Sequence, residues 1–232
     1  MSNSTTTQSV ENAQRTMVPA VKVCGMREIE NIAALCRLPV DFMGLIFYPK
    51  SKRYVADAAD FDLVEMIRLT SEAGIKRVGV FVNESMDTLR KFTTEYQLDI
   101  VQLHGEEPAA YCRELHESGF KIWKVFSVGP AFDFTKLVDY EGFCDAFLFD
   151  TKGVARGGNG FTFDWEVLKD YSSKTPLVLS GGIGPEMGGR ILDISLPQLF
   201  AIDINSRFES APALKDIERI AQFLKEFKTQ IT

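Results

Sequence analysis

From residue 20 onward, short apolar runs rich in Val, Ile and Phe alternate with stretches whose apolar residues recur at helical spacing, and the cycle repeats eight times. Eight strands, each followed by a helix, fit either a closed barrel or an open doubly wound sheet. The open sheet commonly carries GxGxxG after its first strand, and KVCGMRE stands there instead. The expected fold is therefore α/β, a single (β/α)8 TIM barrel. Its 232 residues are close to one such barrel, about 250 residues being typical.

The apolar runs predict strands over residues 20–24, 41–47, 76–82, 99–104, 121–127, 145–151, 176–181 and 199–205. Helices are expected over 28–37, 57–70, 85–95, 108–118, 133–139, 164–171, 185–193 and 214–227. Asn83 or Ser85 would start the third helix, Pro108 the fourth and Asp164 the sixth. Residues 1–19 are rich in Ser, Thr, Asn and Gln and read as a flexible leader, with residues 20–232 forming the catalytic barrel.

Composition narrows the function. With 45% hydrophobic and 25% charged residues the chain has the makeup of a globular protein, and a net charge of −6 offers no general basic surface for nucleic acid or an anionic membrane. An anionic ligand must be caught locally. Cys24, Cys36, Cys112 and Cys144 are widely spaced with no CxxC pair, which suggests neither a disulfide framework nor a zinc site and points to reduced thiols in the cytoplasm. Cys36 and Cys112, inside helical patterns, read as small buried hydrophobes.

Alternation of side chains along a strand provides a test of closure. The first strand sets Val21 and Val23 against Lys22 and Cys24. The fourth sets Val101 and Leu103 against Gln102 and His104, the sixth Phe147 and Phe149 against Leu148 and Asp150, and the eighth Ile202 and Ile204 against Asp203 and Asn205. The polar parity gathers toward the strands' C-terminal ends, the face on which barrel enzymes assemble their sites. The fifth strand, KIWKVFS, gives no clean parity.

From the residues alone each candidate keeps a plainer reading. Cys24 suits a proton-transfer group or a buried hydrophobe; Asp150 an acid or a loop cap; Asp203 a ligand contact or a partner for Lys22. His104 is a site candidate or the pivot of a turn, while His116 falls on an exposed helical face. LSGGIGPEM after the seventh strand frees the backbone at Gly181 and Gly182 to approach a phosphate, with a helix starting at Pro185. Gly-Gly equally makes a tight turn. Asn205 and Ser206, where the eighth strand ends, would share that corner. The insert 152–163, with Gly157, Gly158 and Gly160, reads as a lid or a surface excursion. Lys50, Lys52 and Arg53 lie on a loop above the same end, and Arg53 could pair bidentately with a substrate carboxylate.

Seven motifs, in order and spacing, resemble the phosphoribosylanthranilate isomerase family. They are KVCG (22–25), GLIFYPKSKRYV (44–55), GVFVN (79–83), VQLHGEE (101–107), FDTKGVARGGNGFTFDW (149–165), LSGGI (179–183) and DINS (203–206). The resemblance implies an isomerase of tryptophan biosynthesis that converts an N-ribosylated anthranilate to its ribulose form by an Amadori rearrangement. Cys24 then matches the general base, Asp150 the general acid and Arg53 the holder of the anthranilate carboxylate. Gly182 and Ser206 fall in the phosphate loops, with Gly181 and Asn205 beside them, and Gln102, His104 and Asp203 are expected to touch substrate. No metal or redox cofactor is required.

Two residues depart from the pattern: Arg207 stands where many members have Gly, and Ala213 replaces a frequent Gly. A related isomerase acting on a substrate with two phosphates would need a second anion site, and GVFVNES has no glycine pair. A non-catalytic phosphosugar-binding barrel would not need both Cys24 and Asp150. The expected partner is a small phosphorylated substrate, with monomer and homodimer both open.

Overall fold

The computed structural model describes residues 18–58, 60–151, 165–193 and 196–229. Most of the expected leader and all of the insert 152–163, with Asp164, lie outside them. Eight parallel strands close on themselves in chain order: β1 (Ala20–Cys24), β2 (Phe42–Ile46), β3 (Lys76–Phe81), β4 (Ile100–Leu103), β5 (Ile122–Val128), β6 (Ala146–Thr151), β7 (Leu177–Ser180) and β8 (Leu199–Ile204). The β1–β8 pairing, with Lys22 opposite Asp203, seals the barrel. Every expected strand is present with its ends within one residue. An antiparallel pair, β9 (Glu209–Ala211) and β10 (Leu214–Lys215), follows β8.

The helices are α1 (Ile29–Leu35), α2 (Leu63–Glu72), α3 (Met86–Glu95), α4 (Ala109–Glu117), α5 (Gly188–Leu192) and α6 (Ile217–Thr229). Ser85 caps α3 by accepting the Thr88 N–H, and Pro108 precedes α4, as expected. Elsewhere the expectations need correction. The second helix starts at Leu63, not residue 57, because Asp62 accepts the Glu65 N–H and fixes the entry. The last starts at Ile217 because Leu214 and Lys215 are taken by the small hairpin. The fifth and sixth are 3-10 helices, Phe134–Tyr140 and Trp165–Asp170. Their apolar anchors recur every three residues: Phe134 and Leu137 in one, Trp165, Leu168 and Tyr171 in the other. That spacing lines up on one face in a 3-10 helix and drifts in an α-helix. The seventh, expected over 185–193, is a single 3-10 turn, Pro185–Met187, running into the five-residue α5.

Two apolar layers result. Between strands and helices pack the outward residues, among them Val21, Val23, Leu103, Phe147, Phe149 and Ile202. Inside the barrel sit Phe42, Val78, Ile100, Trp123, Val125, Ala146, Leu148, Val178 and Ala201. Strand β5 thus has an ordinary parity, with Trp123 and Val125 inward. Lys124 points outward and is nevertheless buried, its ammonium bonded to Glu107 and to the carbonyls of Leu103, Gly105 and Val125. A charged residue on the helix face hid the alternation.

The N-terminal end carries a repeated device. Asp41, Asp99 and Asp145 stand just before β2, β4 and β6, and each accepts at 2.8 Å the N–H of a residue in the preceding strand: Val21, Arg77 and Ile122. Each bond satisfies a backbone donor near the start of an odd-numbered strand. Register is thereby pinned at the end opposite the polar residues.

Candidate functional site

The polar parity opens into a cavity at the C-terminal ends of the strands. Cys24 from β1, Gln102 from β4, His104 after it, Asp150 from β6, Asp203 from β8, and Gly181, Gly182, Asn205 and Ser206 from the following loops all line it. Arg53 does not. A larger cavity at the barrel's other end, next to Val18, Leu199 and Phe200, has no thiol or imidazole in its wall, and its carboxylate Asp41 is already engaged by Val21.

Cys24 is 4% exposed and sits over a buried ion pair. The Lys22 ammonium meets Asp203 Oδ2 at 2.9 Å. A Cβ placed on Gly44, which faces Cys24 across the β1–β2 register, would lie 2.7 Å from the Cys24 sulfur and 3.1 Å from Lys22 Nζ. The missing side chain at Gly44 leaves room for thiol and ammonium together. Burial pushes the Cys24 thiol up, and the adjoining Lys22 charge offsets this only in part. Burial also disfavours the Lys22 charge, but Asp203 overrides it and holds the ammonium above its ordinary range. Asp203 Oδ1 and Gln102 Oε1 are buried without a hydrogen-bond partner, two acceptors in the cavity wall of a kind that sugar hydroxyls satisfy.

Across the mouth, Gln102 Nε2 lies 3.4 Å from His104 Nδ1, and His104 Nε2 lies 3.5 Å from Asp150 Oδ2. With the Gln102 amide donating to Nδ1, a neutral imidazole carries its proton on Nε2, facing Asp150. Asp150 is about a third exposed and therefore in reach of a ligand and of solvent protons. His104 is placed by its neighbours: Glu107 accepts the N–H groups of Asn83 and Gly105 and pairs with Lys124, fixing the loop after β4.

At the anion corner Gly181 and Gly182 have φ of +86° and +67°, the left-handed region in which a side chain is strained. Nothing lies within 4 Å of the point where a Gly182 side chain would project, so the corner is open to a ligand. The helix expected from Pro185 is a three-residue 3-10 turn followed by five residues of α5, too short to lend a strong dipole.

Arg53 is already paired. Its Nε and Nη2 donate to Glu209 Oε1 and Oε2, and its stem packs on Gly25, where a Cβ would lie 2.5 Å from Arg53 Cδ. Side-on pairing uses one edge of the guanidinium and leaves the Nη1 edge for a second acceptor. Glu209 is held in turn by Lys215 and the Ala213 N–H, and Lys215 reaches Asn205 Oδ1 at 2.8 Å. Burial pushes the Glu209 carboxyl up, but hydrogen bonds from Arg53 and Lys215 and their charges carry it below the usual range.

Sequence reading missed Glu209 and Lys215, whose contacts with Arg53 and Asn205 depend on the β9–β10 hairpin. It also passed over Ser180 in the cavity wall, which the parity test applied to β7 would have found, and Arg207, noted only as a departure. His116 is exposed and Cys112 buried, as expected; Cys36 is half-buried. Among the described residues no three His, Cys, Asp or Glu side chains are grouped to hold a metal ion, and no helix is long and apolar enough to cross a membrane.

The profile of the family described as N-(5'phosphoribosyl)anthranilate (PRA) isomerase matches residues 21–226. An N-(5'-phosphoribosyl)anthranilate isomerase of Phocaeicola vulgatus is 43% identical over 211 residues, covering 91% of this chain and 98% of the relative. A crystal structure of phosphoribosyl anthranilate isomerase from Thermotoga maritima superposes with a TM-score of 0.76 at 35% identity, covering 91% of this chain and 99% of that one. A crystal structure of a phosphoribosyl anthranilate isomerase in complex with reduced 1-(o-carboxyphenylamino)-1-deoxyribulose 5-phosphate has a TM-score of 0.74 at 32% identity, with the same coverage.

Proposed function

The chain belongs to the N-(5'-phosphoribosyl)anthranilate isomerase family, and from that premise we propose that Cys24 is the base and Asp150 the acid of its reaction. The activity is the isomerisation of N-(5'-phosphoribosyl)anthranilate in tryptophan biosynthesis, an Amadori rearrangement giving 1-(2-carboxyphenylamino)-1-deoxyribulose 5-phosphate.

Two proton transfers are needed. Protonation of the furanose ring oxygen opens the ring to an iminium ion, and Asp150, exposed at the mouth beside His104, supplies that proton. The iminium acidifies the ribose C2–H, whose removal gives an enolamine that tautomerises to the ketone. Cys24 takes this second proton as a thiolate, with Lys22 beside it to compensate the charge. The observation that carries the assignment is that Cys24 and Asp150 line one cavity from β1 and β6, three strands apart round the closed barrel, with the anion corner after the intervening β7 and β8.

The remaining residues position the substrate. Gly181, Gly182, Asn205 and Ser206 cradle the phosphate, Asp203 and Gln102 accept from the sugar hydroxyls, and Arg53, oriented by Glu209, offers its open edge to the anthranilate carboxylate. Burial raises the Cys24 thiol, so kcat/KM is expected to rise with pH through the neutral range as thiolate forms. Turnover of freshly generated phosphoribosylanthranilate, followed by the loss of its fluorescence from pH 6 to 9 (a window of about three units around neutrality), tests both points. Rapid loss with a rising limb supports the reading; a folded protein that leaves the fluorescence unchanged would overturn it.

A further inference from the structure

We propose that Arg207 binds the substrate phosphate, supplying the charge that the loop amides lack. The inference rests on the reading that the loops after β7 and β8 take the phosphate. Among the described residues lining the cavity, Arg207 carries the only guanidinium or ammonium, whereas Asp150 and Asp203 contribute two carboxyl groups. Lys22 is engaged by Asp203 and Arg53 lies outside the lining, which leaves Arg207 as the cation on hand for a phosphate at this corner. Backbone N–H groups offer only partial charge, and α5 spans just five residues.

The geometry places the guanidinium at that corner. Arg207 Nη1 donates to the Gly182 carbonyl at 3.3 Å, and Nη2 meets Glu186 Oε1 at 2.7 Å. A Cβ on Gly184 would come within 2.6 Å of Arg207 Cζ, so the bare backbone of Gly184 is what allows the guanidinium to lie against the β7 loop. The Arg207 carbonyl accepts from Arg219, and Phe208 next to it is fully buried, which fixes the root of the side chain. Its partner Glu186 is 57% exposed and the pair is solvated, so the contact is easily exchanged. A phosphate dianion seated on Gly182 outcompetes a solvated carboxylate for the same fork, which presents five N–H donors.

A clasp that merely ties the β7 loop to the β8 loop would show the same contacts, and kinetics separate the two. The experiment measures KM and kcat for phosphoribosylanthranilate, together with competitive inhibition by inorganic phosphate, in wild type, Arg207→Gln, Arg207→Lys and Glu186→Gln. Arg207→Gln is expected to raise KM and the phosphate inhibition constant together, on the order of tenfold, with kcat within about twofold. Arg207→Lys recovers part of the loss, and Glu186→Gln, which frees the guanidinium, lowers both constants. Unchanged phosphate inhibition in Arg207→Gln overturns the proposal, as does an equal rise of KM in Arg207→Gln and Glu186→Gln, the signature of a clasp. Protection of the protein against heat by inorganic phosphate is measured alongside. Absent turnover with Arg207-dependent protection removes the proposed reaction and keeps the site, whereas normal turnover with protection equal in Arg207→Gln removes the site assignment.

Discussion

Two of the buried lysine–carboxylate pairs among the described residues differ in completeness. Lys124, on the outer face of β5, and Glu107, in the loop after β4, between them make bonds to the carbonyls of Leu103, Gly105 and Val125 and the N–H groups of Asn83 and Gly105. Lys22 and Asp203 lie inside, and Asp203 Oδ1 is left without a partner at the cavity wall. A saturated pair spends its capacity on the scaffold. An unsaturated one of the same composition leaves an acceptor open at the cavity wall and its ammonium charge beside the Cys24 thiol. The difference teaches that burial and charge do not tell the two pairs apart, whereas the open valence does.

Breaking either pair from one side is expected to have the largest effect on stability. Glu107→Gln and Asp203→Asn each leave an ammonium buried against a neutral amide, at about 3–5 kcal/mol. In a barrel of this size that is roughly a 10 °C fall in melting temperature, read by thermal unfolding. The two should then part company in kinetics. In the folded protein at low temperature, Asp203→Asn is expected to lower kcat/KM by about 10²-fold, and Glu107→Gln by only a few-fold through the His104 loop. Equal kinetic losses would dissolve the distinction between scaffold and site.

A third pair sharpens the comparison through pH. Glu209 is held below its ordinary value of 4.5 by Arg53 and Lys215, so it contributes stability that is present above that value and lost as pH falls through the lower folded one. Glu209→Gln should remove this contribution, giving a melting temperature that declines less steeply below pH 4.5 than in wild type. An unchanged acid slope would show that the cluster is not linked to folding.

The smallest effect concerns the hairpin that carries Glu209. Ala213 has φ +69°, a conformation costly for any residue with a side chain, and its N–H donates to Glu209. Ala213→Gly is expected to stabilise the protein by about 1 kcal/mol with activity unaltered, measured by denaturant midpoint. A loss of stability would mean that the buried methyl group outweighs the backbone strain.

Much of this was legible in the sequence, for reasons that differ by element. Strand alternation is a period of two, and it sets Lys22, Cys24, Gln102, Asp150 and Asp203 on the polar parity of their strands. It failed on β5, where Lys124 is buried on the outward side and mimics an inward polar residue. Helical spacing alone does not separate a 3-10 helix from an α-helix in so short a segment, although Trp165, Leu168 and Tyr171 spell a period of three. Arg53 and Glu209 stand 156 residues apart, and no local pattern announces a contact made only after the barrel has closed and a hairpin has folded back over it.

The proposed reaction rests on proton transfer between substrate and the Cys24–Asp150 pair. The most direct measurement is single-turnover loss of phosphoribosylanthranilate fluorescence in Cys24→Ser and Asp150→Asn, with the affinity of each variant for the reduced product analogue measured in parallel. Rates are expected to fall by about 10²–10⁴-fold with analogue affinity largely kept, as the proposed roles are proton transfers on substrate already bound. A near-normal rate in either variant, or a rate loss matched by an equal loss of affinity, would contradict those roles.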